Sequence, residues 1–203
     1  MKDGNSVNES QCELKEENVT DFVKRSAAGD VEAFHLLYSH FVQRIFNFVL
    51  GLMRVKEDAE DVTQDAFVQA FHNIRALKNP DKFEQWLYKI ARNEVYQRFR
   101  RRKLEEISLE FDERRELNPV EQDKGSKNPE DVFLEDELGS VVDRALETLP
   151  VKLREVFILA VLHQKSYKEI SDIVGRSLLS VKTDIYRARV FAKDSIRRYT
   201  TRG

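Results

Sequence analysis

Trp86, Asn93, Gln97, Arg100 and Arg101 are spaced so that, with Ile90, they line one face of a helix. An aromatic ring, two amides and two guanidinium groups in a row suit a single-stranded nucleic acid. Bases stack on aromatic rings for about 1–3 kcal/mol each, amides match base edges and arginine holds phosphate. Leu87, Tyr88, Ala91, Val95 and Phe99 cluster on the other side as a core face. A plainer reading competes. It buries Trp86 and makes the arginine run a solvated helix end, which the helix dipole favours. Against the second half of that reading, the four adjacent cations from Arg100 to Lys103 repel one another unless something anionic lies near.

A second set lies between Tyr167 and Arg189. Ser166-Tyr167-Lys168-Glu169 has the pattern of a capping box that opens a short helix, Gly175 stops that helix, and Ser177 can cap a longer basic one. This is the layout of a helix-turn-helix. Val181, Ile185, Ala188, Ala192 and Ile196 form a narrow apolar stripe on the last helix. Lys182, Thr183, Tyr186 and Arg187 fall opposite it, near the helix start. The N-terminal part of such a helix is what reaches base edges in the major groove. Leu179 points to the same side as Lys182 and Tyr186, where its apolar partner would be a thymine methyl. Alternatively it packs near Val174, and Asp184 merely pairs with Arg187 or Lys182. The bland version of the whole motif is a helical hairpin with a solvated basic face. A third set, Asp61, Gln64 and Asp65, occupies positions i, i+3 and i+4, which share one helical face and suggest docking on a basic partner.

Constellations for catalysis are missing from the sequence. It has no phosphate-cradling glycine loop, no nucleophile elbow and no histidine pair at metal spacing. His35, His40, His72 and His163 are scattered, and read as surface or core residues. Cys12 is the only cysteine, so neither an internal disulfide nor a cysteine-based metal site is possible. No cofactor is expected.

The elements that must position these residues are helices. The chain is 41% hydrophobic and 34% charged with only seven glycines and four prolines in 203 residues, a composition poor in breakers. Residues 1–18 are polar and aperiodic, and read as a mobile tail. Thr20 can cap a helix ending at Gly29, and Asp30 can cap the next, with Phe34, Leu37, Tyr38, Phe41, Ile45, Phe48, Val49 and Leu52 at helical spacing. A third helix carries Ala59, Val62, Ala66, Phe67, Ala70, Phe71 and Ile74. Asn79-Pro80 breaks the chain, and a fourth helix runs from Phe83 into the arginine cluster. Residues 104–131 have two Asn-Pro pairs and a Gly-Ser, which is linker composition. Helix is expected to return from about Asp131 to Leu149-Pro150, and again over 151–163.

The net charge of −2 conceals this order, because two basic blocks, Arg92–Lys103 and Arg176 to the end, flank an acidic stretch. The expected fold is all-α: two small helical domains joined by a flexible acidic linker, the second containing the helix-turn-helix. The expected division is a tail over 1–18, a first domain over 19–103, a linker over 104–131 and a second domain over 132–203. No apolar run approaches membrane-spanning length, and no signal-peptide core stands at the N-terminus.

The motifs in order resemble one family. Ala59-Glu60-Asp61-Val62-Thr63-Gln64-Asp65-Ala66-Phe67, then Phe83-Glu84-Gln85-Trp86-Leu87-Tyr88-Lys89-Ile90-Ala91-Arg92-Asn93 and the arginine cluster are similar to domain two of the bacterial RNA polymerase sigma factors of the extracytoplasmic-function group. Leu149-Pro150, Arg154-Glu155-Val156-Phe157, Ser166 to Ile170 and Val181 to Arg189 are similar to domain four. The resemblance covers about residues 19–200 apart from the linker. It implies that Asp61, Gln64 and Asp65 dock on core RNA polymerase. It implies that Trp86, Asn93, Gln97, Arg100 and Arg101 read and melt the minus-ten element, with Phe83 in the loop that pockets a flipped base. It implies that Leu179, Lys182, Thr183, Tyr186 and Arg187 read the minus-thirty-five duplex in promoter DNA. It implies a cytoplasmic protein, an anti-sigma factor as a further partner, and a linker that threads the polymerase channel. The sequence departs from the family at Gln97, where Asp or Asn is common, at Leu178-Leu179, where small residues are usual, and at Asp184, where Arg is common. These departures bear on which promoter is read. The rival reading is a conventional helix-turn-helix repressor or activator, which leaves the Trp–Asn–Arg stripe and the Asp61 face without a purpose.

Overall fold

The computed structural model describes residues 16–113, 146 and 149–200; every described element is helical. Helix α1 spans Glu16–Ala27. It starts before Thr20, so that residue is not its cap. The Thr20 hydroxyl instead donates to Asp81 Oδ1 at 2.8 Å, tying α1 to the short 3₁₀ turn Pro80–Lys82. The helix also begins inside the segment expected to be a tail.

Helix α2, Val31–Met53, is capped as expected. Asp30 accepts from the Ala33 amide at 3.0 Å, and Arg25 holds the other carboxylate oxygen at 2.7 Å. The Ala33 amide and then Arg25 hold the Asp30 carboxyl below its ordinary range. Phe34, Leu37, Phe41, Ile45, Phe48, Val49 and Leu52 are buried along one stripe, while Tyr38 is exposed and meets Phe67 edge-on at 4.8 Å. Helix α3, Lys56–Asn73, buries Ala59, Val62, Ala66, Phe67 and Ala70. Its three small alanines let neighbouring helices approach closely. Phe71, expected inside, is exposed and packs on Phe34.

The Asn79 side chain accepts from the Asp81 amide at 3.1 Å, which makes the break at Asn79-Pro80. Helix α4 then runs over Phe83–Glu113. It extends beyond residue 103, so the first part of the expected linker is helix. The remaining expected linker, and most of the helix expected from Asp131 to Leu149, lie outside the described residues.

Among the described residues the second domain shows three helical elements. Helix α5 covers Val151–Phe157 and widens into a π-turn over Ile158–Leu162. Helix α6 covers Tyr167–Val174 and α7 covers Leu178–Thr200. Both arms of the expected capping box are made: the Glu169 amide donates to Ser166 Oγ at 3.3 Å and the Ser166 amide to Glu169 Oε2 at 2.8 Å. Gly175 ends α6 at φ +66, a left-handed conformation that costs glycine no Cβ clash. Ser177 Oγ accepts from the Ser180 amide at 3.2 Å, as a helix cap does. Val181, Ile185, Ala188 and Ala192 are buried in the expected stripe; the side chain of Ile196 lies outside the described ones.

The two domains pack on one another, with α5 against α2 and α6 against α4. Gly51 on α2 makes this possible. A Cβ there would stand 2.8 Å from Ile158 Cδ1. The buried Arg154 reaches across and donates to the Leu52 carbonyl and to Leu149 O, each at 3.1 Å, so the end of α2 is hydrogen-bonded to the second domain.

Candidate nucleic-acid interface

Helix α4 separates three functions by angle. Its core face, Leu87, Ala91 and Val95, is buried against α2 and α3. Its solvent face carries Asn93, Gln97, Arg100 and Arg101, all exposed, with Trp86 and Ile90 half-buried beside them. This is the stripe read from the sequence. Trp86 satisfies both readings in part: it tilts on Phe83 at 5.9 Å between ring centroids and packs against the core, yet stays only half-buried. Phe83 itself is 0% exposed, wedged between Phe41 and Trp86. In this conformation it can set the angle of Trp86 but cannot touch a base. The Gln97 amide donates to Glu94 Oε1 at 3.1 Å, and Gln69 donates to the same oxygen at 2.6 Å. The Gln97 carbonyl is not used in that bond, and the residue is exposed.

The anion required to relieve the arginine run comes from α3. Arg102 hydrogen-bonds the buried Asp58, and Arg98 bonds Asp58 at 3.3 Å and Asp61 at 3.1 Å. These carboxylates raise the Arg98 pKa above its ordinary value, led by the Asp58 hydrogen bond. Arg100, Arg101 and Lys103 remain exposed. Asp61 thus has an intrachain partner that the sequence did not disclose, although its carboxylate stays 64% exposed. Gln64 and Asp65 are exposed beside it. Glu60 and Gln64 also border a groove of about 900 Å³ between α2 and α3, floored by Phe34, Phe67 and Phe71.

On α7 all five expected residues are brought together. Leu179 is 75% exposed and Tyr186 70%, and Lys182, Thr183 and Arg187 are exposed with them. The Thr183 hydroxyl donates to the Leu179 carbonyl at 3.0 Å, which bonds it into the helix's own first turn. Leu179 does not pack on Val174. Asp184 pairs with neither Lys182 nor Arg187; its partner is Arg176, from the turn before the helix.

A third face of α4, carrying Gln85, Tyr88, Arg92 and Tyr96, receives the second domain. Sequence periodicity missed this face because its partners lie more than fifty residues away. Tyr88 is fully buried, and its hydroxyl lies 2.8 Å from His163 Nδ1. Burial pushes the Tyr88 phenol well above its ordinary range and pulls His163 down to about 4. His163 is therefore a neutral ring, and the direction of its bond with the Tyr88 hydroxyl follows its tautomer. Glu155 is fully buried, bonded to Arg92 and, at 3.2 Å, to the Tyr96 hydroxyl. Burial raises the Glu155 carboxyl; Arg92 and Arg176 oppose it. Tyr96, with Arg92 stacked on its ring at 4.5 Å, is pushed up to about 12 by burial and by Glu155.

Among the described residues no cluster of His, Cys, Asp and Glu could hold a metal ion, and no helix is long and apolar enough to cross a membrane. Two family models match the chain. Residues 37–105 match the family model for sigma-70 region 2 and residues 140–191 that for sigma-70 region 4. The RNA polymerase sigma-H factor of Pseudomonas aeruginosa is 28% identical over 184 residues, covering 87% of this chain and 92% of that protein. The ECF RNA polymerase sigma-E factor of Escherichia coli K12 is 31% identical over 177 residues, covering 85% of this chain and 92% of that protein. In fold, the chain is similar to the sigma factor RpoE of Bartonella quintana, solved with the anti-sigma factor NepR, at TM-score 0.67 and 23% identity over 82% of this chain and 98% of that one. It is similar also to CnrH, solved with the cytosolic domain of CnrY, at TM-score 0.62 and 22% identity over 89% and 97%. With both regions matched in order and the relatives covered almost end to end, the chain belongs to the sigma-70 family of RNA polymerase sigma factors, in the extracytoplasmic-function group.

Proposed function

We propose that this sigma factor divides promoter reading between the two exposed stripes. The solvent face of α4 takes the minus-ten element as unpaired DNA: Trp86 offers a stacking surface that Phe83 sets from beneath, Asn93 and Gln97 present amides to base edges, and Arg100 and Arg101 hold phosphates. Extruding a base costs a few kcal/mol, which these contacts offset. The start of α7 enters the major groove of the minus-thirty-five duplex with Leu179, Lys182, Thr183, Tyr186 and Arg187. Asp61, Gln64 and Asp65 dock on core RNA polymerase. The observation that carries this reading is the exposure of both polar stripes on helices whose other faces are committed to packing.

The chain adds no catalytic group on this reading. Polymerase performs the chemistry and the sigma factor supplies position and strand separation, in the cytoplasm where polymerase and chromosome meet. Because the similar sigma factor RpoE was solved with the anti-sigma factor NepR, an anti-sigma factor is a further partner on this reading. The test is gel filtration of the chain with core polymerase. Co-elution at one-to-one stoichiometry is expected, and separate elution at micromolar concentration would reject it.

A further inference from the structure

Gln97 is an exposed residue whose amide is tied down at one end. Its Nε2 donates at 3.1 Å to Oε1 of Glu94, one turn earlier on α4, and Gln69 Nε2 on α3 donates to the same oxygen at 2.6 Å. Glu94 is buried, at 9% exposure, while Gln69 and Gln97 stand at the surface. The spacing i, i+3 places Glu94 and Gln97 on one side of the helix. A carboxylate only accepts, whereas a glutamine amide has one accepting and one donating end of nearly equal shape. The Gln97 amide therefore has a single bonded orientation, with its NH2 toward Glu94 and its oxygen outside that bond. Turned over, it would set its oxygen against a carboxylate oxygen. Gln69 holds that carboxylate oxygen in place from the neighbouring helix.

We propose that Glu94 and Gln69 are positioning residues for promoter recognition: they fix which end of the Gln97 amide meets an unpaired base, and so select adenine or cytosine over guanine or thymine. The proposal deepens the assignment of Gln97 to the minus-ten strand and rests on it. A base that has left its duplex exposes the edge that pairing covered. On that edge adenine and cytosine set an amino donor beside a bare ring nitrogen, whereas guanine and thymine set a carbonyl oxygen beside a ring N–H. A freely turning amide matches either order with its oxygen and one N–H, because it can turn over. A tethered amide matches one order. In Gln97 the oxygen is the end without a tether, so it is the end free to advance onto the exocyclic group, which projects furthest from the base. The oxygen takes the amino hydrogen, and the second amide hydrogen goes to the ring nitrogen, the donor–acceptor pairing with which glutamine reads adenine. Glu94 and Gln69 touch no base in this arrangement and act through Gln97.

The base preference of the holoenzyme tests this. The full chain with core polymerase is titrated with labelled non-template strands of a promoter it transcribes, each minus-ten position being in turn adenine, cytosine, guanine or thymine. The wild type should favour adenine or cytosine by about tenfold or more at one position, as a two-bond contact to a base does. Gln97→Ala should erase that preference and so locate the position. Glu94→Gln offers Gln97 either end of an amide, so the preference there should fall to about twofold while those at other positions stay as in wild type. Gln69→Ala, at the surface of α3, should lower it about threefold, and takes the place of Glu94→Gln if that variant loses helix content by circular dichroism. Folded Glu94→Gln and Gln69→Ala variants that keep the wild-type preference, with Gln97→Ala losing it, would overturn the positioning role and leave the assignment of Gln97 standing. A preference for guanine or thymine at the position Gln97 reads would overturn the orientation. A Gln97→Ala that discriminates every base as wild type does would instead reject the assignment beneath the proposal, and the proposal with it.

Discussion

His163 provides a quantitative test of how the domains are joined. Its ring sits edge-on to Phe48 and Tyr88 and shares a hydrogen bond with the Tyr88 hydroxyl. Burial, then the nearby cations Lys165 and Arg44, lower its pKa from 6.5 to about 4. The sign follows directly. The folded chain binds this proton more weakly than the unfolded chain, so the contribution of neutral His163 is complete above pH 6.5 and is lost as pH falls from there toward 4. A gap of two and a half units at about 1.4 kcal/mol per unit gives about 3.5 kcal/mol for the full titration. The perturbation is His163→Gln, which removes the titration and keeps a polar side chain. Urea unfolding followed by circular dichroism at pH 7.5, 5.5 and 4.5 gives the stability of each protein. Carboxylates common to both cancel in the difference. The wild type should lose about 2.5 kcal/mol relative to the variant across that window, since pH 4.5 stops short of the folded pKa. A difference that stays flat with pH would show that His163 is hydrated and that the interface around Tyr88 is not closed in solution.

Other substitutions separate folding from function. Asp61→Arg with Asp65→Arg should abolish binding to core polymerase in a pull-down, since like charge at an interface costs several kcal/mol; stability should change by only about 1 kcal/mol, because the Asp61–Arg98 pair is exposed. Asn93→Ala should impair strand opening, read by permanganate footprinting, and a pre-melted template should rescue it; no rescue would place the defect elsewhere. Trp86→Ala should behave likewise, with a stability loss of about 1–2 kcal/mol from its packing on Phe83. Leu179→Ala should leave thermal stability within about 0.5 kcal/mol and change the duplex sequence selected from a random pool; the same selected sequence would show that the side chain reads no base.

The helices were legible in the sequence where apolar period and caps coincided. Asp30, Ser166, Gly175 and Ser177 all terminate helices as their side chains or missing Cβ dictate. The exposed stripes of α4 and α7 followed from the same periodicity, because a residue off the core stripe of a packed helix has only solvent or a partner to face. Contacts between distant segments were not legible. Thr20 bonds Asp81 instead of capping, and Asp184 finds Arg176 instead of a neighbour on its own helix. Helical spacing ranks only partners within one or two turns. Tyr88 reads as ordinary core, and nothing local marks His163, seventy-five residues on, as its hydrogen-bond partner. The extension of α4 past Lys103 was hidden because linker-like Asn-Pro composition begins only at Asn118, well after the last apolar stripe has faded.

The most direct test of promoter-directed initiation is run-off transcription with core polymerase on a library of genomic fragments. Adding the chain should produce transcripts that start a fixed distance downstream of one shared pair of sequence elements, and altering either element should remove them. Core polymerase that binds the folded chain yet starts no transcript at a shared element, with or without it, would contradict the assignment of α4 and α7 to promoter reading.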